Sequence, residues 1–394
     1  MIEYIIAIII GMFLGIITGL TPGVHINLVA TLLLALTGYV SGFGEVVAFA
    51  ILAMSIMHVF LDALPSIFLG APDATMAMAV LPGHQLLQEG RGVEAIFWSN
   101  FGGWWCIFCG VVFAPLTIWG LMVLFPLIKE YIGYIIFVVV LFGFFRESSK
   151  VYACIIFMCA GILGIVVFSW SKIDDPLFPL FSGLFGLSAL IQSLMMKVQI
   201  PKQNGIVPSN KKRMWLLVPL ATIISSLCSF LPGLGGAQAT ALASSVMKEK
   251  SPERFLVVNG GINAVNMLTS VISWFAIGKA RNGAIVVMSE LMELTVTKLF
   301  GVLGVVLVVA SIGFWLSLVF ARWFSRWLEK VNYERVCWCI IIFVVTLLGL
   351  LTGLPGLLVA GISTLFGLLP EEFGVAKQQL MGCLLIPILG YYFL

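Results

Sequence analysis

Residues Gly11 to Asn27 read Gly-Met-Phe-Leu-Gly-Ile-Ile-Thr-Gly-Leu-Thr-Pro-Gly-Val-His-Ile-Asn. Residues Ser225 to Thr240 read Ser-Ser-Leu-Cys-Ser-Phe-Leu-Pro-Gly-Leu-Gly-Gly-Ala-Gln-Ala-Thr. In each, an apolar helix meets Pro-Gly and a second apolar helix follows. Proline removes an amide donor and clashes with the preceding turn, and glycine tolerates positive φ. Together they unwind a helix or reverse it. Broken backbone at membrane depth survives only where protein buries it or a wet cavity receives it. Freed amides at a half-helix N-terminus suit an anion, and freed carbonyls suit a cation. Two breaks at matching places in two halves are the sequence mark of a transporter site. Ordinary kinks or interhelical turns are the alternative.

Composition places these breaks in a bilayer. The chain has 394 residues, 61% hydrophobic and 10% charged, with mean hydropathy +1.13. Soluble domains run near 25% charged, so here lipid must supply the apolar solvent. A net charge of +3 is too small to imply a nucleic-acid partner. The expected fold is therefore an all-α polytopic membrane protein. Candidate spans begin near residues 4, 46, 96, 115, 131, 151 and 177, then near 214, 255, 296, 336 and 376. That gives about 10–12 membrane elements, counting broken or re-entrant ones. The stretch Ile96 to Ile128 is expected to break around Ala114-Pro115. Met1-Ile2-Glu3 runs straight into an apolar segment without a basic n-region, so no cleaved signal is expected.

The stretch Lys197 to Arg213, with Pro201, Gly205 and Pro208, has linker composition. It divides the chain into a first repeat at 1–200, a basic polar linker at 201–213 and a second repeat at 214–394. The halves share landmarks. Leu20-Thr21-Pro22-Gly23 answers Leu231-Pro232-Gly233, and Phe68-Leu69-Gly70 answers Phe275-Ala276-Ile277-Gly278. In that register Glu45 falls opposite Glu253 and His58 opposite Asn266. The reading is an internal repeat of the transporter type, and chance recurrence of Pro-Gly in a Gly-rich chain is the alternative. The basic residues cluster at Lys197, Lys202, Lys211, Lys212 and Arg213, and again at Arg322, Arg326, Lys330 and Arg335. The positive-inside rule assigns both clusters to the cytoplasm and the chain to the cell membrane as a multi-pass protein.

Ionisable groups inside spans are costly and mark function. His25 and Asn27 follow the first break. His58 and Asp62 lie four apart on one helix face, where a carboxylate orients an imidazole or takes part in proton coupling; an interhelical hydrogen-bond pair is the alternative. Asp73 follows the same span and completes the coupling set with His58 and Asp62. Lys279 and Arg281 suit a carboxylate or phosphate, or snorkel to water as interfacial anchors. Asn259, Asn263 and Asn266 form a stripe of amides on one helix face, beside Gln238 and Thr240 after the second break. The substrate-binding set read from the sequence is Thr21, Pro22, Gly23, His25, Asn27, Pro232, Gly233, Gly235, Gly236, Gln238, Asn263, Lys279 and Arg281. Gly11, Gly15 and Gly19 form a packing face. The third Pro-Gly, Pro355-Gly356, reads as a bend. Eight cysteines, including the Cys106/Cys109 and Cys337/Cys339 pairs, read as free thiols, with no metal site and no cofactor. No nucleotide loop is present, so an ATP-driven pump is not expected. No hydrolase motif is present either, so an enzyme is not expected, and an intramembrane enzyme using His25, His58, Asp62 and Asp73 stands as the minor alternative.

At these residues the chain resembles a known family. Gly15-x3-Gly19-Leu20-Thr21-Pro22-Gly23, Gly70-Ala71-Pro72-Asp73-Ala74-Thr75, Leu231-Pro232-Gly233-Leu234-Gly235-Gly236, and Pro82 with the Gly83 to Gly92 stretch are similar to the large membrane subunit of tripartite tricarboxylate transporters, the TctA family. The likeness covers both halves and looks closer to a divergent, archaeal branch than to typical bacterial members. It implies inverted repeats and uptake of a di- or tricarboxylate coupled to Na+ or H+. It also implies two partners, a small membrane subunit and a soluble binding protein. Polyprenyl-phosphate translocases share a similar layout, so a lipid phosphate stands as the alternative substrate.

Overall fold

The computed structural model describes residues 2–21, 26–37, 42–69, 76, 79–145, 147, 149–171, 173, 176–195, 201–205, 214–230, 236, 239–240, 242–243, 247, 251–328, 330–375 and 377–393. Among them there is helix and no strand. Among the described residues eight helices are long and apolar enough to cross a membrane. A ninth crossing counts if the bent pair Ala114–Ile128 and Ile132–Val138 is one span, and Leu217–Ser229 and Gln379–Phe393 are shorter apolar helices. The spans alone fall short of the 10–12 elements expected from the sequence, and counting the two shorter helices brings the described elements to ten or eleven. The break after Ile96 falls at Phe113.

In chain order the helices are α1 (Ile2–Leu20), α2 (Ile26–Thr37), α3 (Gly44–Leu69), α4 (Val80–Gln88), α5 (Gly92–Val112), α6 (Ala114–Ile128), α7 (Ile132–Phe145), α8 (Lys150–Phe168) and α9 (Leu177–Met195). After the linker come α10 (Leu217–Phe230), α11 (Pro252–Ile277), α12 (Gly283–Leu291), α13 (Val296–Leu328), α14 (Tyr333–Glu372) and α15 (Gly382–Phe393). The two most enclosed are α3 and α11, each with 89% of its apolar window buried.

Small residues decide who packs on whom. Along α1, Gly11 lies on the Ala50 carbonyl, Gly15 on Met54 and Met57, and Gly19 on His58 and Leu61 of α3. A Cβ at Gly11 would collide with Ala50, so only glycine permits this approach. Residue numbers rise together, so α1 and α3 are parallel. Helix α13 joins them, also parallel to α3. Its Lys298 pairs with Glu45 at 2.8 Å, and its Gly313 rests on Phe60. These three helices form the first bundle.

The second bundle is built the same way. Gly102 of α5 abuts the Val257 carbonyl of α11, and Gly260 of α11 abuts the Ser99 carbonyl of α5. Ser225 and Ser229 of α10 reach Ile262 and Asn266 of α11. At the helix starts, Arg91 pairs with Glu253 at 2.7 Å. Helices α5, α10 and α11 are thus parallel to one another. Each bundle borrows one helix from across the linker: α13 joins α1 and α3, and α5 joins α10 and α11.

The two bundles run in opposite directions. Asn100 and Trp104 of α5 bond Ser317 and Ser311 of α13 respectively, so α5 and α13 are antiparallel. Asn100 also donates to the Phe60 carbonyl at 2.9 Å, tying α5 to α3. The start of the linker returns to this junction. Gln203 accepts from the Gly92 amide and donates to the Leu87 and Pro201 carbonyls. Gly90, at φ 77°, turns the α4–α5 corner, and the Lys202 carbonyl sits where its Cβ would be.

Outside the bundles, α14 packs on α9 through Gly183 and Gly367, and α15 packs on α8 through Gly161 and Gly164. In α14, Gly353 takes φ 66° and ψ −164°, two residues before Pro355. The third Pro-Gly is a bend in a peripheral helix.

Candidate functional site

The bundles meet through polar side chains where α3 crosses α11. Asn263 Nδ2 donates to Asp62 Oδ2 at 3.0 Å, and both residues are buried. Asn263 lies eleven residues into α11. At 1.5 Å per residue that is about 17 Å from the helix start, near the middle of a ~30 Å hydrocarbon layer. A carboxylate at that depth is unfavourable without a donor, and the amide supplies one.

Each helix that leads into a Pro-Gly break brings a hydroxyl to the adjoining central helix. In the first bundle Thr18, four residues before Pro22, shares a 3.1 Å hydrogen bond with Nδ1 of His58. In the second, Ser229, three residues before Pro232, donates to Asn266 Oδ1 at 2.8 Å. Ser229 also accepts from Thr269 at 2.8 Å. Neither Thr18 nor Ser229 stands out in the sequence, because a mid-helix hydroxyl ordinarily satisfies itself on its own backbone. His58 and Asp62 occupy successive turns of α3, as their spacing predicts. The hydrogen bonds just described lead from them to different helices, α1 for the imidazole and α11 for the carboxylate.

Beyond the second break, Gly236 is buried and Thr240 donates to Asn259 Oδ1 at 3.0 Å. The Asn259 amide donates to Met76 Sδ at 3.1 Å. The amide stripe therefore holds the chain after the break with Asn259, the helix before it with Asn266, and the other bundle with Asn263.

Asn27 is an anchor for α12. Its Oδ1 accepts from the Ala284 amide at 3.0 Å, alongside the cap residue Asn282. The connector between α11 and α12 folds back on α11, where Ser270 accepts from the amides of Arg281 and Asn282, both at 2.9 Å. Ser270 is seven residues past Asn263, about 10 Å along the helix. Lys279 and Arg281 sit 5.9 and 6.0 Å from the ring centre of Phe125 on α6, the geometry of cation–π contacts. The structure thus brings Asp62 and Asn263 together, with His58 a turn away. Lys279 and Arg281 stand further along α11, against an aromatic ring. Thr21, half-buried, ends the described part of α1 and bonds back to Ile17. Pro22, Gly23, His25, Asp73, Pro232, Gly233, Gly235 and Gln238 lie outside the described residues. All eight cysteines are free thiols. Among the described residues no three His, Cys, Asp or Glu side chains gather as a metal site.

The crossing of two buried helices thus bears one carboxylate and a stripe of amides. The family model for the tripartite tricarboxylate transporter TctA family matches residues 5–382. The chain belongs to the TctA family. It is also 29% identical, over 98% of both chains, to an uncharacterized protein of Methanocaldococcus jannaschii. No solved structure matches it. This TctA-family chain is a multi-pass membrane transporter, and the lipid bilayer is its solvent.

Proposed function

We propose that the protein moves a small organic anion of the di- or tricarboxylate class across the cell membrane, coupled to H+ or Na+, through the seam between α3 and α11. The observation that carries this is the buried Asp62–Asn263 hydrogen bond at mid-depth. An ionised Asp62 repels an anionic substrate at close range. A proton or a cation taken up at Asp62 removes that repulsion. Binding of the coupling ion then becomes a condition for binding the substrate, which is the requirement for symport. His58, one turn away on α3, is the second titratable group at the seam. The amide of Asn263 provides a neutral donor for carboxylate oxygens, and the sequence reading of Pro22-Gly23 and Pro232-Gly233 as helix breaks adds backbone donors to the proposed site.

The same proposal makes residues 1–200 and 214–394 inverted repeats. Its support is the pairing of Glu45 with Lys298 and of Glu253 with Arg91, together with the antiparallel run of the bundles. A small membrane subunit and a soluble binding protein complete the proposed system.

The test is thermal unfolding of the purified protein with di- and tricarboxylates, with and without Na+, from pH 5 to 8. A ligand at a hundred times its Kd stabilises the folded state by about 2.7 kcal/mol. Stabilisation by a carboxylate that requires Na+ or low pH, and loses that requirement in Asp62→Asn, is the expected result. Stabilisation by polyprenyl phosphates alone would sink the carboxylate assignment.

A further inference from the structure

The two faces of the protein differ in charge. The start of α3 carries the Glu45–Lys298 pair, and exposed Glu3, Glu290 and Glu293 share its end of the molecule, since α12 ends with Leu291 against Gly44. Helix α13 leaves that face at Lys298 and ends at Leu328 beside the start of antiparallel α5. There it turns within a few residues into α14, with Lys330 and Val331 bonding back to Trp327 and Leu328. Arg322, Arg326, Lys330 and Arg335 all project from this corner and are exposed. Among the described residues none of the four has an ion-pair partner. The linker segment bearing Lys202 docks at the same face, through Gln203 on Gly92. Lys202 thus emerges on the same side as Arg322, Arg326, Lys330 and Arg335, which the positive-inside rule makes cytoplasmic.

Helix length fixes the depth of the cations. The 33 residues of α13 extend about 50 Å, against a hydrocarbon layer of ~30 Å. Measured from Lys298, the hydrocarbon ends about 20 residues along, near Leu318 to Phe320. Arg322 and Arg326 follow at once, one turn apart on one face, within the headgroup layer. Trp323, 57% exposed, lies at the same level on α13, where indole rings anchor at the interface, and Trp338 near the start of α14 is 52% exposed. Unpaired guanidinium groups beside interfacial indoles match the phosphate and glycerol region of a lipid.

We propose that the α13–α14 corner is a binding surface for anionic phospholipid headgroups of the cytoplasmic leaflet. Arg322 and Arg326 hold the phosphate, Lys330 and Arg335 add charge, and Trp323 and Trp338 set the depth. That leaflet concentrates anionic lipid, and clustered basic residues beside a span attract it.

The test is delipidated, full-length protein titrated with phosphatidylglycerol or phosphatidylcholine, with bound lipid counted by native mass spectrometry. Wild type should retain phosphatidylglycerol at least tenfold more tightly than phosphatidylcholine. R322Q/R326Q/K330Q/R335Q should lose that preference. K298Q, on the opposite face, should keep it, and so should R322K/R326K/R335K, which preserves the charge. Equal retention of the two lipids by wild type, or an unchanged preference in the glutamine variant, overturns the proposal. If the quadruple variant does not fold, R322Q/R326Q decides by the same criterion.

Discussion

Near the crossing of α3 and α11, the first bundle holds the groups that change charge, His58 and Asp62, and the second holds amides and hydroxyls that only hydrogen-bond. Both consist of three parallel helices. Both open with a glutamate paired to a cation on the borrowed helix, Glu45 with Lys298 and Glu253 with Arg91. In both, a hydroxyl before the break binds the central helix. Yet that hydroxyl meets an imidazole in the first bundle and an amide in the second. Where the bundles touch, the first offers a carboxylate and the second an amide. A shared scaffold thus carries divided chemistry. In the proposed mechanism, ion sensing belongs to α3 and neutral recognition to α11.

The scaffold half of this comparison is the easiest to break. Gly260→Val drives a branched side chain into the Ser99 carbonyl, and Gly11→Val does the same to Ala50. Each should cost about 1–3 kcal/mol or more, seen as a fall in thermal midpoint and in monodisperse yield. Tolerance at one site alone would show that the bundles are not equivalently packed. Next comes the seam. Asp62→Leu strands the Asn263 amide at a cost of about 1–3 kcal/mol, and uptake should vanish. In Asp62→Leu/Asn263→Leu much of the stability should return while uptake stays absent. A double variant as unstable as the sum of the single ones would mean the two residues do not act on each other. Smaller still is the difference between the hydroxyls. Ser229→Ala breaks bonds to both Asn266 and Thr269, whereas Thr18→Val breaks the one to His58. At about 1 kcal/mol per bond, Ser229→Ala should lower the thermal midpoint further.

The most pointed variant changes stability little. His58→Asn gives the first bundle the polar residue of the second and keeps a partner for Thr18. Any dependence of uptake on pH between 5 and 8 that arises from the imidazole should disappear. A profile that matches wild type would remove His58 from ion coupling. Glu45→Gln should have the smallest effect, about 1 kcal/mol or less, because the pair is partly exposed to water.

Much of the membrane architecture is legible in the sequence because apolar length is a local signal. The polar residues of the seam are partly legible, since Asp62 and Asn263 are conspicuous in apolar helices. Their contact is not, because nothing local says that α3 meets α11. The exchange of α5 and α13 between bundles is equally hidden. Apolar helices of similar composition do not reveal their neighbours, and the glycines that choose them, such as Gly102 and Gly260, look like any others. Lys279 and Arg281 attract attention by charge alone. Their position against Phe125 depends on how the connector folds back through Ser270, which composition does not encode.

The borrowed helices also impose a timetable. Helix α3 closes its bundle against α13, whose first residue, Val296, follows Leu69 by more than half the chain. At about 5–20 residues per second, synthesis reaches α13 some ~11–45 s after α3 is made. During that interval Glu45 lacks Lys298 and the carboxylate of Asp62 lacks Asn263, inside or beside a lipid bilayer. The nascent first half must therefore wait as an unfinished intermediate, sheltered by the insertion machinery or by transient neighbours, until the second half arrives.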